Sequence, residues 1–343
     1  MSGTEIHPSI WESIDRLMAL ECRNVNMGML PPLYDAARAA VGGPLCQAAA
    51  QRLVETVKPG DPVIIATGAG GPPWLFNGET DGPLGAAGLA RALTIGCKAW
   101  PLIITEERSR HPVAMTFAAA GVSLLPEGMA RVRPTTATPV DFPTDPAEAE
   151  RAAGAFLDRY APAAMILIEK TSPNRAGVIH SVSGQAWTPA VDFARVEFLV
   201  AECRKRGILT IGIGDHGNEI GFGLIEQTVR STVPRADVCQ CPCGQGMASG
   251  VATDIVIPAS ISNWGAYGIE AGIAILKRDP NLLHDVALER AMLQACVMAG
   301  GVDGVTSRQI LAVDGTNGEV QVAIAAILAE LVGKALSNLT VDY

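Results

Sequence analysis

The feature that most constrains the fold is an alternation of short apolar runs with longer segments of helical periodicity. The runs PVIIATG, AWPLIITEE, AAMILIE and ILTIGIG are separated by segments in which apolar residues recur every three or four positions. Strands that alternate with helices are joined by right-handed crossovers, so that neighbouring strands run parallel. The sequence therefore predicts an α/β fold, with a mainly parallel sheet and helices on both faces.

The helical segments indicate how the chain is organised. Helices are predicted near residues 8–21, 32–57 (broken at Gly42, Gly43 and Pro44), 145–160, 190–206, 283–299 and 319–337. The 343 residues fit a single α/β domain spanning 1–343, in which 1–57 form a helical N-terminal annex. The proline-rich stretch 131–146 is expected to be a surface connection or a seam between subdomains.

Charge and hydropathy exclude several kinds of partner. The chain has 26 basic and 35 acidic side chains, a net charge of -9, and its Lys and Arg residues are dispersed, which argues against nucleic acid. No apolar run approaches the roughly 20 residues that span a bilayer, and no leader pattern is evident, so we expect no membrane association and a cytoplasmic location. A small-molecule substrate is expected, and a homo-oligomer is compatible with this composition.

The eight cysteines fall into two groups. Five are scattered singly among apolar or helical stretches, as expected for reduced, buried thiols. Cys239, Cys241 and Cys243 alternate within CQCPCG and would point to one face of a strand, which raises the alternative of a thiolate metal site. Zinc normally requires a fourth ligand and a C-x2-C spacing, and neither is evident. We therefore expect small buried side chains at a strand end, without bound zinc.

A glycine-rich loop, TGAGGPP, follows the first predicted strand. It lacks the third glycine that packs a helix N-terminus under a pyrophosphate, since Pro72 and Pro73 stand in that region and the next helix begins near Pro83. No Walker-type GK[ST] sequence is present either. The sequence thus predicts chemistry without NAD(P) and without ATP.

Polar residues follow several of the predicted strands. Glu79 and Asp81 precede a helix, Glu169 ends the run AAMILIE, Asp215 follows ILTIGIG, and Asn263 follows another apolar run. Each has a simpler interpretation, such as a helix cap for Asp81. Parallel strands nevertheless bring such ends to one edge, where ligands of α/β proteins bind. We therefore predict an active site at the carboxyl ends of the strands.

Five motifs carry a resemblance to a known family. They are ETDGPLGA (79–86), IEK followed by RAG (168–177), GIGDHGNEIGFG (212–223), ISNWGAYGI (261–269) and GVDGVTSRQILAVDG (301–315). In this order they resemble the C-terminal domain of D-glutamate cyclase, over about residues 10–335. The resemblance implies a carbon-oxygen hydro-lyase that interconverts D-glutamate, or a related amino diacid, and the five-membered lactam 5-oxo-D-proline. The chain departs from the family pattern at His216, at Arg175 and in CQCPCG.

The chemistry of lactam closure suggests a catalytic role for each of the candidate residues. It needs a neutral amine, a proton for the departing hydroxide and stabilisation of an oxyanion. Asp215 and Glu219 are predicted to act as base and acid, and Glu169 to support them from a neighbouring strand end. Asn218 and Asn263 offer amide donors to the oxyanion, and His216 is a proton shuttle or a loop histidine that only forms hydrogen bonds.

Substrate binding is predicted at the same edge. Arg175, with Lys170, is the expected anchor for the substrate carboxylate. Glu79, Asp81 and Asn263 complete the substrate site. A divalent cation, Mg²⁺ or Mn²⁺, would be held by hard oxygen ligands from Asp215, Glu219, Glu79 and Asp81.

Three alternatives remain open. A nucleotide-dependent oxidoreductase would need the glycine loop after Thr67 to hold a pyrophosphate. A lactam or cyclic-imide hydrolase would use the same groups on a different small cyclic amide. A non-catalytic amino-acid-binding module would keep the carboxylate anchor but tolerate loss of the catalytic carboxylates.

Overall fold

The computed structural model describes residues 6–23 and 27–337. The strands of the main sheet are β1 (Pro62–Thr67), β2 (Trp100–Ile104), β3 (Ser123–Leu124), β4 (Thr136–Pro139), β5 (Ala164–Ile168), β6 (Leu209–Gly214) and β7 (Ile255–Pro258). All seven pair in parallel in the order β3-β4-β2-β1-β5-β6-β7. A separate antiparallel pair consists of β8 (Ala312–Val313) and β9 (Thr316–Asn317). The predicted α/β class is confirmed.

Twelve α-helices occur in the described residues. They are α1 (Pro8–Met18), α2 (Leu30–Val41), α3 (Leu45–Thr56), α4 (Pro83–Ala92), α5 (Arg110–Ala119), α6 (Glu127–Ala130), α7 (Pro146–Tyr160), α8 (Glu197–Lys205), α9 (Glu226–Thr232), α10 (Ser262–Lys277), α11 (Val286–Met298) and α12 (Gly318–Leu336). The predicted break between α2 and α3 is confirmed, because Gly42 ends α2 in the left-handed conformation at φ +88°. No described helix has the length and apolarity needed to cross a membrane.

Two sequence interpretations of secondary structure are corrected. The proline-rich stretch 131–146 is more than a connection, because it contains β4, whose Thr138 pairs with Leu102 of β2. Helix α8 begins only at Glu197, since Val191 and Phe193 pack with Ile179 in a small separate cluster instead of continuing the helix.

Alternate residues of each central strand enter two different cores. Val63 and Ile65 of β1 pack with the helices of one face, which include α3, α4 and α10, while Ile64 and Ala66 pack beneath α7 and α8 on the other. This alternation follows from the two-residue period of a strand. The sheet is therefore buried on both sides, and its carboxyl edge remains as a surface for a site.

The order of the strands places a switch point between β1 and β5. From β1 the chain continues to β2 on one side, and it later returns to β5, β6 and β7 on the other. Loops on the two sides of such a point diverge and leave a crevice outside the carboxyl ends of the strands. Register pairs Thr67 with Ile168 and Ile168 with Ile213, so the residues that follow these positions meet at one edge.

A buried histidine outside this edge predicts a pH-dependent stability. His284 lies between Glu270 and Glu289, with Nδ1 2.8 Å and Nε2 3.1 Å from their carboxylate oxygens. Burial would lower the pKa of His284, but Glu270 and Glu289 outweigh burial and raise it from 6.5 to about 10. The contribution of the protonated His284 and its two glutamate partners to the free energy of unfolding is thus fully present below about pH 6.5. It is lost as pH rises through about 10.

We expect the loss of unfolding free energy in His284→Gln to be largest near about pH 6 and to shrink towards about pH 10. Urea denaturation of both proteins across this range measures it. Taking the difference between the two proteins removes the contribution of other titrating groups. A difference that does not change with pH would contradict a buried imidazolium at this position.

Candidate active site

A cavity of about 980 Å³ opens at the carboxyl ends of β1, β5 and β6. Its ionisable lining comprises Glu79, Glu169, Asp215, His216 and Asp314. Trp74, Leu75, Trp187 and Val191 add apolar surface, and the described lining contains no Lys or Arg. The cavity is thus acidic, with an apolar wall, and has the size of a small-molecule site.

Asp215 and His216 form the central pair. His216 Nδ1 lies 2.6 Å from Asp215 Oδ1, while His216 Nε2 is buried and has no hydrogen-bond partner among the described residues. A carboxylate at Nδ1 favours the tautomer whose proton is on Nδ1, which leaves Nε2 as a free acceptor. The pair therefore offers a positioned base at the cavity.

Arg23 contacts two of the acidic side chains of the cavity, Asp215 and Asp314. Its guanidinium forms a salt bridge to Asp215 and another, at 2.7 Å, to Asp314, and all three side chains are buried. Burial opposes the charge on Asp215, but Arg23 and His216 outweigh burial and hold the pKa of Asp215 well below its usual range. Asp215 is consequently ionised at neutral pH.

The other carboxyls of the cavity are pushed towards the neutral form. Burial, followed by repulsion from nearby acidic side chains, raises the pKa of Glu79, Glu169 and Asp314 well above the ordinary range. Glu169 also has left-handed backbone at φ +48°, and its carboxylate accepts a hydrogen bond from Ser262 Oγ. Such strain and such displaced pKa values are typical of functional sites.

Glu219 and Asn218 belong to the turn that presents this pair. The carboxylate of Glu219 accepts hydrogen bonds from the backbone N–H groups of His216, at 3.2 Å, and Gly217, at 2.8 Å. Glu219 does not line the cavity, so its position supports a role in holding the turn rather than the predicted acid or base role. Asn218 lines the cavity, donates through Nδ2 to the His180 carbonyl and leaves Oδ1 without a partner.

Asp81 and Asn263 lie deeper and join two helices. Asp81 accepts from the backbone N–H groups of Gly82, Ser262 and Asn263 at 2.8–2.9 Å. Asn263 Oδ1 accepts from Gly82 N–H and Gly85 N–H, and its Nδ2 donates to the Thr80 carbonyl. The amide of Asn263 is thereby used in capping α4, which argues against the predicted oxyanion role. Burial and then Asp215 raise the pKa of Asp81 to about 7.

The two predicted cationic anchors lie elsewhere. Arg175 is 65% exposed and pairs with Glu226 at 2.7 Å, so it does not line the cavity. Lys170 is buried and pairs with Glu106, also away from the lining. Neither position suits the predicted role of gripping a substrate carboxylate from within the cavity.

Sequence reasoning missed Arg23 and Asp314. Arg23 is separated along the chain from Asp215 by 192 positions and from Asp314 by 291, and no local spacing signals such a pairing. Asp314 lies within the quoted AVDG, but nothing in that segment assigned it a role. Gly304 lies against both carboxylates, and a Cβ there would displace the side-chain ends of Glu79 and Asp314.

The three alternating cysteines lie in an irregular loop and not at a strand end, contrary to the expectation from their spacing. His180, from a different segment, approaches them. Its Nε2 is 3.2 Å from Cys241 Sγ and 3.6 Å from Cys243 Sγ. A fourth potential ligand, which the sequence did not reveal, therefore lies beside the three thiols.

The chain is similar in sequence to known proteins. A family model described as D-glutamate cyclase-like, C-terminal, matches residues 35–331. A stretch of 79 residues is 35% identical to the mitochondrial D-glutamate cyclase of Homo sapiens, and it covers 23% of this chain but only 11% of the human protein.

Proposed function

The chain belongs to the D-glutamate cyclase-like family, and from this premise we propose that it interconverts D-glutamate, or a related amino diacid, with 5-oxo-D-proline. The forward reaction forms an amide bond between the amine and the γ-carboxyl carbon and releases one carboxyl oxygen as water. This is the reaction of a hydro-lyase. The observation that carries the proposal is the Asp215–His216 pair, whose free Nε2 is buried at an acidic cavity of suitable size.

His216 is proposed as the base. Attack by the amine requires removal of a proton from the substrate ammonium, and Nε2 is the free acceptor in this site. Asp215 holds the imidazole in the required tautomer and stabilises the imidazolium that forms. Asp215 and His216 thus act as one unit, with Asp215 remaining ionised throughout.

Glu79 is proposed as the acid that protonates the departing hydroxide. Burial, followed by repulsion from Asp81 and Asp215, raises the pKa of Glu79 and so favours the neutral form that a proton donor needs. Thr171 lines the same cavity, and its buried hydroxyl has no partner among the described residues, so it is free to donate to the oxyanion. Asn218 Oδ1 is an acceptor for the substrate amine. Hydrolysis of the lactam uses these groups in the reverse order.

A divalent cation, Mg²⁺ or Mn²⁺, is proposed as part of this site. The described lining of the cavity contains no Lys or Arg that could bind a dicarboxylate substrate. The negative charge of such a substrate therefore needs another positive group. Asp81, Glu169 and Asp215 each offer a carboxylate oxygen within 4.8 Å of the others, and such hard donors suit these ions. These three residues would hold the cation, which would supply Lewis-acid polarisation of the reacting carboxyl.

The proposal requires neither ATP nor NAD(P), and it keeps a cytoplasmic location and a small-molecule substrate as further expectations. Proximity can replace chemical activation because the amine and the carboxyl belong to one molecule.

The proposal is tested by incubating the protein with each enantiomer of glutamate and of 5-oxoproline, with and without Mg²⁺ or Mn²⁺. Chiral chromatography follows both species, and transfer of ¹⁸O from labelled water into the γ-carboxyl group reports reversible loss of water even when the equilibrium hides net conversion. We expect exchange and conversion with the D enantiomers only.

Each other outcome has a distinct meaning. Turnover of other lactams or cyclic imides, without any with 5-oxoproline, would replace the cyclase with a hydrolase. Calorimetric binding of glutamate without conversion or exchange would replace it with a binding module.

A further inference from the structure

We propose that His180, Cys239, Cys241 and Cys243 bind one zinc ion, which fastens the cysteine loop (residues 235–247) to the cavity-wall hairpin (residues 179–187). The four side chains come from two separate segments and form a compact group that does not include the Asp215–His216 pair. None of the four lines the cavity, so the group is not explained by the proposed reaction.

The distances between the donor atoms match a tetrahedral site. Cys239 Sγ lies 3.5 Å from Cys241 Sγ and 3.4 Å from Cys243 Sγ, and all four donor atoms lie within 4.8 Å of one another. Zinc–sulfur bonds of about 2.3 Å at tetrahedral angles separate neighbouring sulfurs by about 3.8 Å. Only small side-chain adjustments are therefore needed. A disulfide would require the sulfurs to approach to about 2.05 Å.

A backbone contact favours the tautomer of His180 that can bind a metal through Nε2. Its Nδ1 lies 3.1 Å from the Val178 carbonyl oxygen, and donating the Nδ1 proton to that oxygen leaves Nε2 deprotonated towards the cysteines. Histidine ligands of metals are commonly oriented by such a backbone carbonyl. Asn174 Nδ2 adds a second outer contact, at 3.5 Å from Cys243 Sγ.

The cysteine loop is closed independently of any metal. Met247 N–H donates to the Arg235 carbonyl at 3.0 Å, and Asn174 Nδ2 donates to the Gly246 carbonyl at 2.7 Å. Gly246 has φ +71°, and a Cβ there would overlap the Ala236 carbonyl, so the close return of the chain needs glycine. The ligands are therefore held near their final positions before binding.

The chemistry of the donors selects the metal and its role. Three thiolates and one imidazole favour zinc over Mg²⁺ or Mn²⁺, and four protein ligands leave no open position for catalysis. The three thiol protons leave to solvent on binding. Half-buried Cys241 and Cys243 leave an entry path for the ion.

The site would stabilise one wall of the cavity. The cavity-wall hairpin contributes Ser181, Val182, Gln185 and Trp187 to the lining, and the His180 carbonyl accepts from Asn218 Nδ2. A zinc ion at His180 would join this hairpin to the cysteine loop about 60 positions further along the chain.

The experiment measures metal content, so it does not depend on any activity. Full-length protein without an affinity tag is purified without chelator and analysed by elemental mass spectrometry. We expect about one zinc per chain in the wild type and in the control Cys22→Ser, which alters an exposed cysteine outside the group. Cys241→Ser and His180→Gln should each lose most of the zinc.

Cobalt gives a second readout if these variants fail to fold. Removing the metal from the wild type and adding Co²⁺ should produce a sulfur-to-cobalt charge-transfer band together with the absorption of tetrahedral cobalt. Wild-type protein that neither contains zinc nor binds Zn²⁺ or Co²⁺ would overturn the proposal. So would a disulfide among the three cysteines in the purified protein, or full retention of zinc in Cys241→Ser.

Discussion

Replacement of Asp215 by Asn should lower turnover by about 10²- to 10⁴-fold while the protein remains folded. Asn at this position cannot stabilise an imidazolium, and its amide N–H donates to Nδ1 and favours the wrong tautomer of His216. Because the two residues act as a pair, His216→Gln should lower turnover to a similar extent, and the double variant should lose little more than either single one. The ¹⁸O-exchange assay with D-glutamate measures all three proteins.

Asp158→Asn is the matched control for this prediction. Asp158 is 72% exposed and pairs with Arg206 at the surface, so the same change of chemistry should leave turnover unaffected. Near-wild-type exchange in both Asp215→Asn and His216→Gln would remove this pair from the mechanism. Strict additivity of the two losses would show that they act separately.

Arg23→Met should lower the free energy of unfolding by about 3–5 kcal/mol, because it leaves the buried, ionised carboxylate of Asp215 without its counter-ion. Met retains most of the apolar stem, so the loss reports the charge rather than an empty volume. Urea denaturation near neutral pH gives the value. The loss should shrink at lower pH, where protonation of Asp215 in the variant removes the uncompensated charge.

Arg38→Met provides the comparison at the surface. Arg38 and Glu12 form a salt bridge in which each side chain is about one-third exposed, and solvent screening limits its expected contribution to about 0–1 kcal/mol. A loss in Arg23→Met no larger than in Arg38→Met would mean that the interior near Asp215 is well hydrated. The proposed positioning of His216 by a desolvated carboxylate would then need revision.

Family membership and the position of the candidate site at the carboxyl edge could be predicted from the sequence for different reasons. The ordered motifs from ETDGP to AVDG identified the family. Glu169 and Asp215 follow apolar runs whose β-branched residues favour strands, so their place at the edge of a parallel sheet follows from topology alone. The break between α2 and α3 could also be predicted from adjacent residues alone, because Gly42, Gly43 and Pro44 interrupt a helix.

The hydrogen-bond partners of the polar side chains could not be predicted from the sequence. Asn263 and Asp81 occur in motifs that look equally polar in sequence, yet both are used in capping backbone N–H groups of α4 and α10. The charge of Arg175 predicts an anchor for a substrate carboxylate, but its side chain pairs with Glu226 at the surface. A motif gives residue type and approximate place, whereas the direction of a side chain depends on neighbours from other segments.

The sequence by itself determined the α/β class, the places where strands end and the group of acidic residues at those ends. Each depends on periodicity or composition over a few adjacent residues. Only the tertiary structure decided that Arg23 pairs with Asp215 and contacts Asp314, and that His180 completes a set of four donors with three cysteines about 60 positions away. These pairings join distant parts of the chain, and they arise because burial forces charged and polar groups to find partners wherever the packed fold brings them together.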